Sequence, residues 1–421
     1  MSSLTNSTAS ENPKPRLLYI DTAYTLKMVR ERDLEQVYAS RACAGYFEHV
    51  WGIHPIADVP EKRKLNYDGF KLHTVEFSQD QTVIEGESAY YSLLKFAPPI
   101  NFLVSQIHFV AFLIGLVKRE RISIIFCTDP YFGGLIGLLI KLFAGRPLVI
   151  WIVANYDDTC KATGTPAMPR LFRWRWVEKI VEKIVFGWAD LVAGGNQNNL
   201  EFALNNGAIP SKSTIFPIGR ILHMNHQIEP ALRDKDELFI TDSKTHYFIY
   251  VGRLFELKHP DDVLRAFAVI DQSVPDCALV MAGNGPMRAN LEKLAQDLGI
   301  HKKVLFLGNI NQRRLANLLA GCFAYLSPLT GGALVEAALA GLPIVAYDRD
   351  WQGDFIGESG AGIIVPFLDW QKMGDAAVHL LRHPEEALRM GRAARRRGLE
   401  ACDLEKIYGH ERREFEKLLK H

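Results

Sequence analysis

In the stretch GRLFELKHP, Arg253 and Lys258 stand just past an apolar run, Tyr247–Val251, that reads as a strand. Two cations at the carboxyl end of a strand suit a diphosphate: the guanidinium is a fork and the ammonium a point charge. The plainer reading is two solvated cations before a helix. Further on, LSPLTGGALVEAALAGLPIVAYD carries one carboxylate, Glu336, in a helical run that is otherwise apolar from Ala333 to Ala340. A buried carboxylate without partners costs several kcal/mol or takes up a proton. Thr330, Gly331 and Gly332 precede Ala333. Bare glycines at a helix start let backbone N–H groups and the helix dipole meet a phosphate closely. One turn further in, Glu336 can accept two hydrogen bonds from a polyol such as ribose; the alternative is an internal pair with an Arg or Lys. Gly283 and Asn284, in AGNGP, end the next strand, but Arg288 stands where a dinucleotide fingerprint needs its third glycine, so the fragment alone reads as a plain turn. Asn309 and Ile310 follow another strand end, where backbone groups can meet a base.

The elements that must position these residues are strands alternating with helices. RLLYID, HVWGI, SIIFCTDP, PLVIWIVAN, ADLVAGGN and STIFPIG are short apolar runs separated by helical stretches, which implies a parallel sheet covered on both faces. The pattern fades from Arg220 and restarts at YFIYVG, CALVMAG, VLFLG, CFAYLSP and PIVAYD. The expected fold is α/β: two Rossmann-like, doubly wound domains facing across a cleft, with ligands at the carboxyl ends of the strands. Residues 1–15 read as a disordered tail, 16–225 as the N-terminal Rossmann-like domain, 226–244 as a linker and 245–402 as the C-terminal Rossmann-like domain. The helix 403–421 is expected to pack back on the N-terminal domain.

The 421 residues are 48% hydrophobic with a net charge of +1, a globular composition that gives no support to nucleic-acid binding. Six scattered cysteines read as reduced thiols in a cytosolic compartment. The polar N-terminus is not a secretory signal. The most apolar stretch, Ile107–Val117, falls short of the roughly 18 residues a membrane span needs and reads as a buried helix. In PRLFRWRWVEKIVEKIVFGW (169–188), Phe172, Trp176, Ile180, Ile184 and Trp188 form one stripe interleaved with Arg and Lys. That pattern reads as a core-packed helix with a solvated basic edge, or as a surface resting on anionic lipid. The arginines of 389–397 read as a solvated helix face.

In this order and spacing, VGRL…K, AGNGP, VLFLG, EAALAGLPIVAYD and GAGIIV resemble the GT-B glycosyltransferases, most closely the retaining family-4 (group 1) type, over about residues 16–420. The resemblance implies that Arg253 and Lys258 hold the donor diphosphate. It implies that Glu336 binds the ribose hydroxyls, that Asn309-Ile310 contacts the base, and that Thr330, Gly331, Gly332, Ala333, Gly283 and Asn284 belong to the same donor site. There are two departures. Pro328 stands where the family has a second glutamate that contacts the donor sugar, and Asn155 stands near the family's sugar-contacting His, which makes Asn155 the catalytic candidate there. Tyr24 and Lys27 are expected to present the acceptor, and Asp348 to Asp354 to form a loop beside the donor sugar. No cofactor or metal is expected, although Asp348-Arg349-Asp350 has D-x-D form. The implied activity is transfer of a hexose-type sugar from a UDP- or GDP-sugar to a glycan or lipid-linked hydroxyl, in polysaccharide or glycolipid synthesis. The implied place is cytoplasmic, or peripheral on the inner membrane face through 169–188. The other readings are a nucleotide-sugar epimerase or hydrolase, and a non-catalytic nucleotide-sugar-binding subunit.

Overall fold

The computed structural model describes residues 13–420 apart from 33, 218–223, 235, 237–244, 330 and 358. Thr330, most of the tail 1–15 and much of the linker 226–244 therefore lie outside the described residues.

Short apolar runs become two sheets. The first contains β1 (Arg16–Ile20), β2 (His49–His54), β3 (His73–Ser78), β4 (Gln81–Glu85), β5 (Ile124–Cys127), β6 (Leu148–Ile152), β7 (Leu191–Gly194) and β8 (Ser213–Ile215), in the order β3-β4-β2-β1-β5-β6-β7-β8. Every pairing is parallel except the β3–β4 hairpin at one edge. That hairpin is absent from the runs read off the sequence because HTVEF alternates, as a half-exposed strand does. The second sheet contains β9 (His246–Val251), β10 (Cys277–Ala282), β11 (Val304–Gly308), β12 (Ala324–Ser327), β13 (Ile344–Tyr347) and β14 (Gly362–Val365). Its order is β11-β10-β9-β12-β13-β14, parallel throughout. Both sheets put β1 or β9 near the centre, so the strand order reverses there and crevices open at the carboxyl ends.

Two helices on the first sheet bury polar residues beside their apolar ones and leave other apolar residues facing outward. The apolar segment expected at Ile107–Val117 is the 22-residue helix Pro98–Arg119, long and apolar enough by composition to cross a membrane. The stretch expected to be buried is the second half of this helix, and it does bury Phe109, Val110, Leu113, Leu116 and Val117, with only one face inward; the first half, which that expectation did not cover, differs. Asn101, Ser105 and Gln106 are buried because they satisfy the backbone of residues 87–91. Asn101 Nδ2 donates to Tyr91 O (2.8 Å), Tyr90 N donates to Ser105 Oγ (3.0 Å), and Gln106 Nε2 donates to Glu87 O (3.1 Å). Ile100, Leu103, Val104 and Ile107 are left exposed.

Likewise, the stripe of 169–188 is not core-packed. In the helix Arg175–Trp188 the inward residues include Glu178 and Glu182, while Trp176, Ile180, Ile184 and Trp188 face out. The reason is a polar network beneath the helix. Arg175 reaches Glu182 at 2.5 Å, Asp157 at 2.9 Å and Glu178 at 3.0 Å, and Tyr131 Oη donates to Glu182 at 2.5 Å. Glu178 also accepts from the N–H groups of Ala167 and Met168. Buried carboxylates hold a helix by their donors, and the apolar side takes what remains.

The C-terminal helix Leu404–Leu419 lies on the opposite face of the first sheet. Ile407, Tyr408 and Phe415 join Phe47, Phe126 and Trp151 in one buried cluster. Phe415 is 2% exposed, and its ring meets those of Phe47 and Phe216 at 5.3 and 5.7 Å between centroids. Phe415→Ala is expected to cost about 3–5 kcal/mol of unfolding free energy, read by urea denaturation. A cost below about 1 kcal/mol would show that this helix is not an integral part of the domain.

Candidate active site

The carboxyl ends of the second sheet carry most of the singled-out residues into one cavity of about 280 Å³. Arg253 follows β9, Gly283 and Asn284 follow β10, Asn309 and Ile310 follow β11, and Glu336 comes from the helix Ala333–Leu339. Tyr24, in the loop after β1, closes it from the first sheet. The AGNGP glycines earn this geometry by close backbone approach. Gly283 has φ +142° and a Cβ there would stand 1.9 Å from Gly252 O; one on Gly285 would stand 2.2 Å from Leu254 O. Those contacts, with Gly252 N donating to Ala282 O and Leu254 N to Asn284 O, draw the β9 and β10 ends together.

Glu336 is 7% exposed, and its carboxylate lies 3.9 Å from His226, a linker residue the sequence reading passed over. His226 is fully buried and bonded to Gln312 at 2.7 Å; burial pushes its imidazole down to about 4, so it is neutral at pH 7. Arg233 anchors the same stretch by donating to Ala316 O and His226 O. Arg395 pairs with Glu229 at 2.8 Å and also donates to Leu339 O, so the 389–397 arginines are not simply a solvated face.

The second cavity, about 660 Å³, is lined from both sheets. Asn155, Asp158, Lys161 and Asn198 come from one side, and Lys258, Gly331, Arg349 and Asp350 from the other. Lys258 thus sits in a different cavity from Arg253, although the two charges feel each other. Burial, and then Arg253, lower the Lys258 ammonium, while Asp350 opposes them. Asp350 takes the left-handed conformation, φ 57°, at the end of β13. Its side chain reaches solvent, yet the cleft walls raise its carboxyl above the usual range, against the effect of the Trp351 N–H, Asn198 and Lys258. Arg349 and Asp158 approach to 3.9 Å across the cleft. No neighbouring atom would obstruct a Cβ on Gly331, so the protein's own packing does not require a glycine there. Gly332 is the N-cap of a helix only seven residues long.

Asn155 lines the cavity but its Oδ1 is engaged, accepting from Asp157 N (3.1 Å) and Asp158 N (3.2 Å) as the cap of Tyr156–Thr163. Its Nδ2 donates to Asn198 at 3.1 Å. Lys27 is outside both cavities: Thr25 caps the helix Leu26–Glu31, and Lys27 lies on its exposed face, 3.9 Å from Glu31. The Pro328 segment is held by Gln352, which is fully buried; its amide accepts from Ser327 Oγ and donates to Pro328 O (3.2 Å) and Tyr347 O (3.2 Å). Gln352 opens the short helix Gln352–Ile356, so the loop expected over 348–354 ends at Trp351; nothing in the sequence marked this Gln out.

Two parallel α/β sheets that face each other across such a cleft define the GT-B fold, and whole-chain comparisons agree. Sucrose-phosphate synthase from Thermosynechococcus elongatus matches at a TM-score of 0.72 and 16% identity, over 96% of this chain and 99% of that one. Anabaena HepE, solved in complex with UDP and glucose, matches at 0.68 and 14%, over 95% and 98%. Residues 234–397 match the model of the glycosyl transferases group 1 family. Among curated relatives, the GDP-mannose-dependent alpha-(1-6)-phosphatidylinositol monomannoside mannosyltransferase of Mycolicibacterium smegmatis is 29% identical over 158 residues, 35% of this chain and 41% of that protein. The chain spans less than half the length of the curated relatives it first matches.

The His226 imidazole sets a pH dependence. Its folded value of about 4 lies below an unfolded value of about 6.5, so the folded state binds fewer protons. Its contribution is complete above about pH 6.5 and is lost as pH falls towards 4, amounting to about 3 kcal/mol. His226→Gln is expected to flatten the fall of unfolding free energy over that window; an unchanged slope would remove His226 as its cause.

Proposed function

We propose that the protein is a retaining glycosyltransferase that moves a hexose-type sugar from a nucleoside diphosphate sugar to a hydroxyl of a glycan or lipid-linked acceptor. The observation that carries this reading is the convergence of Arg253, Asn309 and Glu336 in one cavity beside a larger one lined by Lys258 and Asn155. The smaller cavity takes the nucleoside, with Glu336 accepting from the ribose hydroxyls and the turn at Asn309-Ile310 against the base. The larger takes the sugar and acceptor. HepE was solved with UDP, which makes a uridine donor the first to test; the GDP-mannose-dependent relative makes a guanosine donor the second.

In the step proposed, the bond between the anomeric carbon and the diphosphate oxygen breaks and the acceptor oxygen bonds to that carbon on the same face. The acceptor proton passes to the departing phosphate. Negative charge grows on the diphosphate, and Arg253, Lys258 and the backbone N–H groups at Gly331–Ala333 oppose it without a metal ion. Lys258 is suited to this because burial makes its charge cost more without a counter-anion than with one. The place of action is the cytoplasmic face of a membrane, with residues 169–188 towards anionic lipid, in glycolipid or surface polysaccharide synthesis.

Arg253→Ala and Lys258→Ala are each expected to lower turnover at least about 100-fold while leaving the melting temperature within about 2 °C. The assay follows nucleotide release from UDP- and GDP-sugars with and without lipid-extract acceptors. Near-normal turnover in both variants would refute the site. Sugar conversion without acceptor would favour an epimerase or hydrolase, and donor binding without turnover a binding subunit.

A further inference from the structure

The outer layer of the first sheet presents large apolar side chains to its surroundings on three helices. The helices Pro98–Arg119, Phe132–Ala144 and Arg175–Trp188 lie side by side on one face, packed into one core cluster with Phe132–Ala144 in the middle. Ile100, Leu103 and Ile107 follow one another at helical spacing on the outside of the first, and Phe96, in the turn just before it, is 87% exposed. The middle helix exposes Leu139, Leu142 and Phe143, and the third its Trp and Ile stripe. Scattered exposed apolar side chains are ordinary, but an apolar layer across three adjacent helices is not. Two of these helices turn their own polar residues inward to satisfy buried partners, so the outward apolar faces are not left over from an ordinary amphipathic pattern.

The charge on this layer has one sign. Pro98–Arg119 and Phe132–Ala144 contain no Asp or Glu, and both glutamates of Arg175–Trp188 are buried. Arg170, Arg173 and Lys183 are exposed, as is Lys179, whose ammonium pairs with the half-buried Asp157 at 3.0 Å. Aromatic and aliphatic side chains flanked by cations and free of exposed carboxylates complement an anionic bilayer surface. We infer that all three helices, not the 169–188 segment alone, form a lipid-seated face, with the Phe96–Ile107 stripe inserted among the acyl chains. Arg175 begins the third helix and holds Asp157, while Asp158, Thr159 and Lys161 of the same short helix line the larger cavity. The inward side of the third helix is thus tied to the short helix that walls the larger cavity. This selects an amphiphilic acceptor whose hydroxyl-bearing head enters the cavity while its chain stays in the bilayer. This acceptor assignment rests on the transfer reading above; the lipid seat does not.

The test is co-sedimentation of the full chain with vesicles of phosphatidylcholine alone or with about one third phosphatidylglycerol. The chain is expected to sediment with the anionic vesicles and to be weakened by salt. Leu103→Glu with Ile107→Glu, and separately Arg173→Glu with Lys183→Glu, are expected to lower the bound fraction at least about tenfold with unchanged melting. Absence of sedimentation, equal binding to neutral vesicles, or a vesicle-free dimer dissolved by Leu103→Glu with Ile107→Glu would overturn the lipid seat. Arg253→Ala is run alongside and is expected to keep vesicle binding. Bound vesicles without wild-type turnover would refute the transfer reading alone; turnover without bound vesicles would refute the lipid seat alone.

Discussion

A carboxylate does not leave water without donors, and much of this structure is arranged around that constraint. Glu178 and Glu182 go inward to Arg175, Tyr131 and two backbone N–H groups. That choice rotates a whole helix and puts its tryptophans outside. Glu336 meets the same constraint on the other side of the cleft, where it lies near a histidine kept neutral by burial. The first arrangement orients a surface, and the second leaves a carboxylate at the wall of a cavity where hydroxyl groups can reach it.

How much was legible in the sequence follows from which signals are local. A parallel strand buried on both faces is a short uniform apolar run, so β1, β5, β6, β7 and most of the second sheet could be read directly. Strand ends followed by glycine and a cation were legible too, and the structure brings Arg253, Gly283, Asn284, Asn309, Ile310 and Glu336 to one cavity. Which face of a helix is buried was not legible. For 169–188 the apolar stripe was the strongest periodic signal, and it points outward because the decisive partners lie outside it, Asp157 18 residues from Arg175 and Tyr131 51 residues from Glu182. His226 and Gln352 were missed for the same reason: each matters through long-range contacts, His226 with Gln312 and Glu336 and Gln352 with Ser327 and Pro328, that no spacing announces. Lys27 was misplaced because the loop after β1 closes into a capped helix sooner than expected.

The division of the site between two cavities gives its parts different dependences. The smaller is lined mainly by the second sheet, with Tyr24, Arg32 and Leu34 at one wall, so its shape follows chiefly from strand ends held by their own ladder. The larger exists only while Asn155, Asp158 and Asn198 face Lys258 and Asp350. Recognition of a nucleoside needs little from the first domain, whereas the position of the reacting atoms needs both. A left-handed aspartate and a cation of lowered pKa at that junction are the marks of a place where local stability has been given up.

The chain passes between the two sheets twice. It goes out after β8 and comes back before the helix Leu404–Leu419, whose Phe415 is rooted in the first domain's core. The outgoing segment is itself fastened to the second domain through Arg233, His226 and Glu229. A body held at two points turns about the line that joins them and resists twisting across it. Two crossings constrain the two sheets more than one would: rotation about the line through them is the motion they oppose least, and such a rotation would change the separation of Lys258 and Asn155.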